Sequence, residues 1–278
     1  MRIWMGDSTT GGLVDEADAH VSVLDHGLLL GDSLFETILT EQNDARLVDR
    51  HIQRLLQSAE AIGLKALDAE LLQSAIKEVI DPSATGNGRL RITLTAGDGP
   101  LGLARGTSPR LLLLWEPLEL STAPLRLALS AVTRSTSSST INLKTGSWLE
   151  NVMAMRDARS QGADDALMLN DRGEVAETAT ANVFVIKNDT ILTPPLASGC
   201  LAGVTRKFLI EHIPAELRFA EIPFSLEDLF AADEVFVTSA LRGVSAVGAV
   251  GEQNFIALGP ITARLQSVFA QSVKESHV

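Results

Sequence analysis

The hydrophobic period changes several times along this chain, and those changes restrict the fold more than any other feature. RLRITLTA at 89–96 alternates polar and apolar, as a strand with one buried face does. Ile52, Leu55, Leu56, Ala59 and Ile62 fall instead at helical spacing, with Asp49 as the expected N-cap and Gly63 as the expected stop. A second helix is predicted over 68–80, ending before Pro82. Strands are predicted at 2–5, 33–40 and 110–115, and the polar turn at 41–44 returns the chain toward Leu47 and Val48 as a hairpin.

The texture changes after PLELSTAP at 117–124, a stretch with two prolines and no period. It is the expected linker between a small domain at 1–116 and a larger one at 125–278. Beyond it, strands are predicted at 125–132, 166–169, 182–187, 190–193 and 234–238. The turns NDRG at 170–173 and Asn188-Asp189 separate some of them. Helices are predicted through Met153–Arg156, at 204–213 and from about 261. The Ser/Thr-rich run at 133–140 reads as a loop. Hairpins in both halves without a regular βαβ order make the class α+β.

Composition excludes several function classes. The 278 residues carry a formal net charge of -12, which lowers the prior for nucleic-acid binding while leaving room for a local basic pocket. The longest apolar runs are too short to cross a bilayer, so no membrane partner is expected. The N-terminus lacks the apolar stretch of a signal peptide, and Cys200 is the single cysteine; both suggest a cytoplasmic protein. No His/Cys cluster surrounds Cys200, so no metal is expected.

Four features carry chemistry. Lys144 leaves a polar loop just before a helix; a nucleophilic lysine needs partial burial to lose its proton, whereas most lysines in such loops are solvated. Glu177 ends a strand and enters a run of small residues, ETATANVF, where backbone can approach a ligand. The turn GCLAGVTR at 199–206 opens into a helix, and its free N–H groups with the Thr205 hydroxyl make a phosphate site. Arg54 lies on the polar stripe of the first helix with His51 and Ser58, and a guanidinium suits phosphate. On that stripe His51 is expected to be a hydrogen-bonded helix histidine. No nucleotide-binding glycine motif and no hydrolase serine elbow occurs.

Taken in order, DHGLLLGDSLFET at 25–37, HIQRL at 51–55, Lys144, the run 177–184 and LAGVTR at 201–206 resemble the fold-type IV pyridoxal-phosphate (PLP) enzymes. This family includes branched-chain and D-amino-acid aminotransferases and 4-amino-4-deoxychorismate lyase. The resemblance spans about residues 2–250. It implies a two-domain, D-amino-acid aminotransferase-like fold, with a small N-terminal α/β domain and a larger domain built on a barrel-like sheet. It further implies a homodimer acting on a small molecule with pyridoxal 5'-phosphate as cofactor. Lys144 would be the Schiff-base lysine and proton carrier, and Glu177 would pair with the pyridine nitrogen. Arg54, Val204 and Thr205 would hold the phosphate, with Leu201 beside the ring.

Within the family the chain most resembles the lyase. VTSALRGV at 237–244 looks like the lyase form of this loop, with Ala240 where transaminases carry a phosphate-binding threonine, which leaves Ser239 and backbone N–H groups as donors. Thr37 matches a threonine linked to lyase chemistry. The chain has no tyrosine, whereas both transaminase groups use tyrosines in the substrate pocket, and Trp148 stands near one such position. Arg105 and Arg110 are the candidate clamps for substrate carboxylates, although RGTSPR at 105–110 also resembles a D-amino-acid aminotransferase motif.

Overall fold

The computed structural model describes residues 1–64 and 67–276, and the chain divides into two units. The first comprises Met1–Leu120 with Leu143–Ser147, and the second Ser121–Asn142 with the chain from Trp148 onward.

The first unit contains β1 (Arg2–Asp7), β2 (Gly11–Val14), α1 (His26–Leu30), β3 (Ser33–Glu41), β4 (Asp44–Ala45), α2 (Val48–Ala61), α3 (Ala69–Val79), β5 (Asn87–Thr95) and β6 (Arg110–Pro117). Its strands form an antiparallel sheet in the order β2-β1-β6-β5-β3-β4. Strand alternation divides β3 between two faces. Leu34 and Ile38 join Ile52 and Leu55 of α2, Leu72 and Ile76 of α3 and Ile92 of β5 in one buried core. Phe35 and Thr37 point the other way.

Two local expectations need correction. The return strand of the hairpin is only Asp44–Ala45, because Leu47 takes a left-handed conformation (φ 54°) and α2 begins at Val48. Asp49 lies inside the first turn of α2 rather than at its cap, and its carboxylate accepts a hydrogen bond from Gln73 Nε2 of α3. Gly63 does follow α2 at φ +68°, and Asp68 caps α3 by accepting from the Glu70 N–H.

The larger correction concerns 143–147, which sequence order assigns to the second domain. Here the Phe35 N–H donates to Lys144 O (2.9 Å) and the Gly146 N–H to Ser33 O (2.7 Å), which extends the edge of β3. The approach at Gly146 is close, because a Cβ there would lie 1.9 Å from Ser33 Oγ and would force that hydroxyl to move. The segment carrying Lys144 thus belongs with the first unit.

The second unit contains β7 (Leu125–Leu129), α4 (Leu149–Ser160), β8 (Asp165–Leu169), β9 (Val175–Thr178), β10 (Asn182–Lys187), β11 (Thr190–Thr193) and α5 (Val204–Glu211). It continues with β12 (Arg218–Glu221), α6 (Leu226–Phe230), β13 (Glu234–Ser239), β14 (Gly243–Val250), β15 (Gln253–Asn254) and α7 (Pro260–Glu275). The sheet runs β12-β11-β10-β13-β14-β7-β8-β9, with β15 beside β14. It is mixed: β11–β12, β14–β7 and β7–β8 are parallel and the other pairs antiparallel. Val183, Val185, Val235 and Val237 build one core with Leu229 of α6. On the opposite face Phe184 stacks on Phe236 at 4.8 Å, and α5 and α7 meet edge-on through Phe208 and Phe269. Glu234 caps α7 by accepting from the Ile261 and Thr262 N–H groups.

Candidate functional site

In the first unit, Lys144 and Thr37 come together on the β3 face turned away from α2 and α3. The Lys144 ammonium lies 4.2 Å from the centroid of the Phe35 ring, and the Arg91 guanidinium lies 4.0 Å from the same centroid. Arg91 has no acidic side chain within ion-pairing distance among the described residues, and burial lowers its pKa. Lys144 and Thr37 are half-buried.

The helix-facing side of β3 carries a different constellation. Glu36 is buried and accepts from Arg54 Nε (2.7 Å) and Nη2 (2.5 Å), while His51 Nδ1 lies 2.8 Å from Glu36 Oε2. Burial pushes the Glu36 carboxyl up, but Arg54 and His51 overcome this and hold it at about 2. Burial pulls His51 below its ordinary value; Glu36 opposes that pull, while Arg54 and Lys144 reinforce it. His51 is hydrogen-bonded, as expected. The stripe that holds it, however, is an interior one.

The two arginines expected to clamp substrate are committed within this unit. Arg105 donates through Nε and Nη2 to Asp32 and through Nη1 to the Ile62 carbonyl, so all three nitrogens are engaged. Arg110 lies 3.5 Å from buried Asp25 and 3.4 Å from Asp98. Both tie down the loop between β5 and β6, and neither is brought beside Lys144.

In the second unit, two of the expected cofactor residues, Glu177 and Leu201, are joined by a hydrogen bond. Glu177, at the end of β9, has Oε1 2.9 Å from Arg134 Nε, and its Oε2 accepts the Leu201 N–H at 3.0 Å. Asn182 Nδ2 donates to the Leu201 carbonyl at 2.9 Å. Gly203 then starts α5 and, as a glycine, offers no side-chain cap to the first N–H groups of that helix. Val204 and Thr205 are buried there, and β13 brings up a buried Thr238 hydroxyl with no partner among the described residues. Ser239 ends β13 and Ala240 begins the turn to β14, across which Ser239 Oγ accepts from the Arg242 N–H at 3.4 Å. Trp148 precedes α4, with the Arg134 guanidinium 5.7 Å from its ring. Burial, reinforced by Glu177, pushes the Cys200 thiol up to about 12, so it stays protonated and inert.

This donor set fits PLP. Uncapped helix N–H groups with threonine and serine hydroxyls suit a phosphate ester, and a fixed carboxylate suits a protonated ring nitrogen. The lysine amine suits a carbonyl. No group of three or more His, Cys, Asp or Glu able to hold a metal occurs among the described residues. No described helix is long and apolar enough to cross a membrane.

Arg134, Arg91 and Glu36 escaped the sequence reading. Arg134 lies in the Ser/Thr-rich loop, where an arginine gives no sign of burial. Arg91 did leave a signal, since RLRITLTA places it on the polar face of a strand, beside Arg89 and Thr93.

Residues 33–250 match the model of the class IV amino-transferase family. The chain is 32% identical to a putative branched-chain-amino-acid aminotransferase of Methanocaldococcus jannaschii, over 97% of this chain and 95% of that protein. It is 30% identical to aminodeoxychorismate lyase of Bacillus subtilis, over 95% of this chain and 93% of that one. The crystal structure of a branched-chain aminotransferase from Thermoproteus uzoniensis with norvaline superimposes with a TM-score of 0.89 at 27% identity, covering 98% of this chain and 94% of that chain.

Proposed function

Since the chain belongs to the class IV aminotransferase family, whose enzymes depend on PLP, we propose that it is an aminodeoxychorismate lyase, working as a cytoplasmic homodimer. The observation that carries this reading is the grouping around Phe35: the Lys144 amine, the Arg91 guanidinium with no acidic partner among the described residues, and Thr37 opposite Arg91 across the strand pair. The absence of tyrosine and the lyase-like turn at Ser239 and Ala240 support the same choice.

Bound PLP would supply an electron sink for charge developing on the substrate ring carbon. Lys144 would hold the cofactor at rest and, once displaced by the substrate amine, take the proton from the carbon bearing that amine. Arg91 would anchor a substrate carboxylate. Thr37 would pass a proton to the departing enolpyruvyl group as its carbon–oxygen bond breaks, leaving pyruvate and 4-aminobenzoate. Glu177 would hold the ring nitrogen protonated. Thr205, Ser239, Arg54 and the N–H groups of Val204 and Ala240 would bind the phosphate, and Leu201 would pack beside the ring.

The 32% identity to the Methanocaldococcus protein favours a second reading, an aminotransferase acting on branched-chain or D-amino acids. Purified protein incubated with aminodeoxychorismate should release 4-aminobenzoate and pyruvate in equal amounts, and Lys144→Ala should abolish this. Robust amino transfer from L- or D-amino acids without 4-aminobenzoate would replace the lyase by the transaminase. Protein that takes up no visible chromophore from PLP would overturn both.

A further inference from the structure

Both carboxylate oxygens of Glu177 are engaged within the second unit: Oε1 is ion-paired with Arg134, 2.9 Å from Nε but without the alignment of a hydrogen bond, and Oε2 accepts the Leu201 N–H at 3.0 Å. The Arg134 side chain is 15% exposed and that of Glu177 only 6%, so water does little to screen the pair. The arginine is itself firmly based. Its N–H donates to the Leu169 carbonyl at 2.8 Å, and its carbonyl accepts the Asp171 N–H at 2.9 Å. Gly199, at φ +94°, packs so closely that a Cβ there would sit 3.4 Å from Arg134 Cβ. Trp148 lies under the guanidinium and Glu150 Oε2 is 4.0 Å from Nη1. The Cys200 thiol, whose pKa burial and the charge of Glu177 raise, is held neutral.

A carboxylate buried to this degree without a cation takes up a proton rather than remain charged. It would then no longer be the anionic partner that a protonated ring nitrogen needs. We propose that Arg134 is the positioning residue that keeps Glu177 ionised and aimed, so that Glu177 can hold the pyridine nitrogen of PLP protonated. This rests on the reading that Glu177 faces that nitrogen. Arg134 acts through Glu177 and does not touch the cofactor. Lysine restores the charge but not the flat guanidinium that lies over Trp148, so it is a partial substitute.

The test compares wild type, Arg134→Gln, Arg134→Lys, Glu177→Gln and the Arg134→Gln/Glu177→Gln double variant. PLP affinity is measured by titrating the apoproteins, melting temperature on the same samples, and kcat and KM on the holoenzymes. Arg134→Gln is expected to weaken PLP binding about tenfold and lower kcat about a hundredfold, with KM within about threefold of wild type. Arg134→Lys should recover about tenfold of the lost kcat. Because one residue works through the other, adding Arg134→Gln to Glu177→Gln should cost less than about threefold more. An Arg134→Gln protein that melts lower yet keeps wild-type PLP affinity and kcat, while Glu177→Gln is impaired, would overturn the proposal alone. If Glu177→Gln matches wild type, the reading of Glu177 falls and the proposal falls with it.

Discussion

Thr37 of β3 and Arg91 of β5 stand directly opposite each other in the antiparallel register, so their side chains rise from the same sheet face. Phe35 lies on that face, one turn of the pleat away, with Lys144 against its ring. A hydroxyl, a guanidinium and an amine thus share one surface.

Arg91 should therefore matter to substrate and little to the fold. Its guanidinium lies over the Phe35 ring, a contact worth about 1 kcal/mol, so Arg91→Ala should melt within a few degrees of wild type. Loss of a charge-assisted carboxylate contact should raise KM for aminodeoxychorismate about a hundredfold, with Arg91→Lys intermediate. Unchanged KM in Arg91→Ala would move the carboxylate anchor elsewhere.

Arg105 should show the opposite behaviour. Its bonds to Asp32 and the Ile62 carbonyl fasten the β5–β6 loop at a partly exposed position. Arg105→Ala should cost about 1 kcal/mol of stability and leave KM within about twofold. A large rise in KM with intact stability would restore Arg105 as a substrate clamp.

The sequence made the periodic elements legible and missed those defined by small residues. α2, α3, β5 and β10 carry strong apolar periods, and each lies within a few residues of its expected place. β14 (GVSAVGAV) and α6 (five residues) escaped, because glycine and short length leave little period to read. Glu177, Leu201 and Thr205 were visible as an ordered series, and the Leu201 N–H bond to Glu177 ties the first two together. Arg134 was not, since a polar loop gives no hint that its backbone is bonded to β8. Lys144 was singled out in the sequence, but its pairing with β3 depends on a contact over a hundred residues distant in sequence, which no local pattern encodes.

Acid should weaken the first unit in two stages. His51 has a folded pKa below its ordinary 6.5, so the stability of its neutral form is present above that value and lost as pH falls below it. Glu36 drops from 4.5 to about 2, so its contribution is present above 4.5 and lost between there and about 2. At about 1.4 kcal/mol per pH unit the Glu36 stage amounts to about 3 kcal/mol. Urea titrations from pH 8 to 3 should show both declines, and His51→Gln should flatten the one near pH 6. Glu36→Gln should cost about 3 kcal/mol at pH 7, because it strands Arg54 in a partly buried site. A pH-independent midpoint down to pH 4 would contradict the neutral state assigned to His51.

Gly203 offers the sharpest test of the helix start. Its φ of −65° is open to any residue, so the need for glycine is steric rather than conformational. A Cβ at 203 would lie 2.0 Å from Asn182 Oδ1, whose amide is held by its bond to the Leu201 carbonyl. Gly203→Ala must therefore break that tie or shift the turn, at about 1–3 kcal/mol. Either response displaces the first N–H groups of α5, so PLP affinity should fall about tenfold or more. Shortening the obstructing side chain supplies the control: Asn182→Ala combined with Gly203→Ala should bind PLP more tightly than Gly203→Ala alone. If Gly203→Ala binds the cofactor like wild type, the start of α5 is not where the phosphate is held.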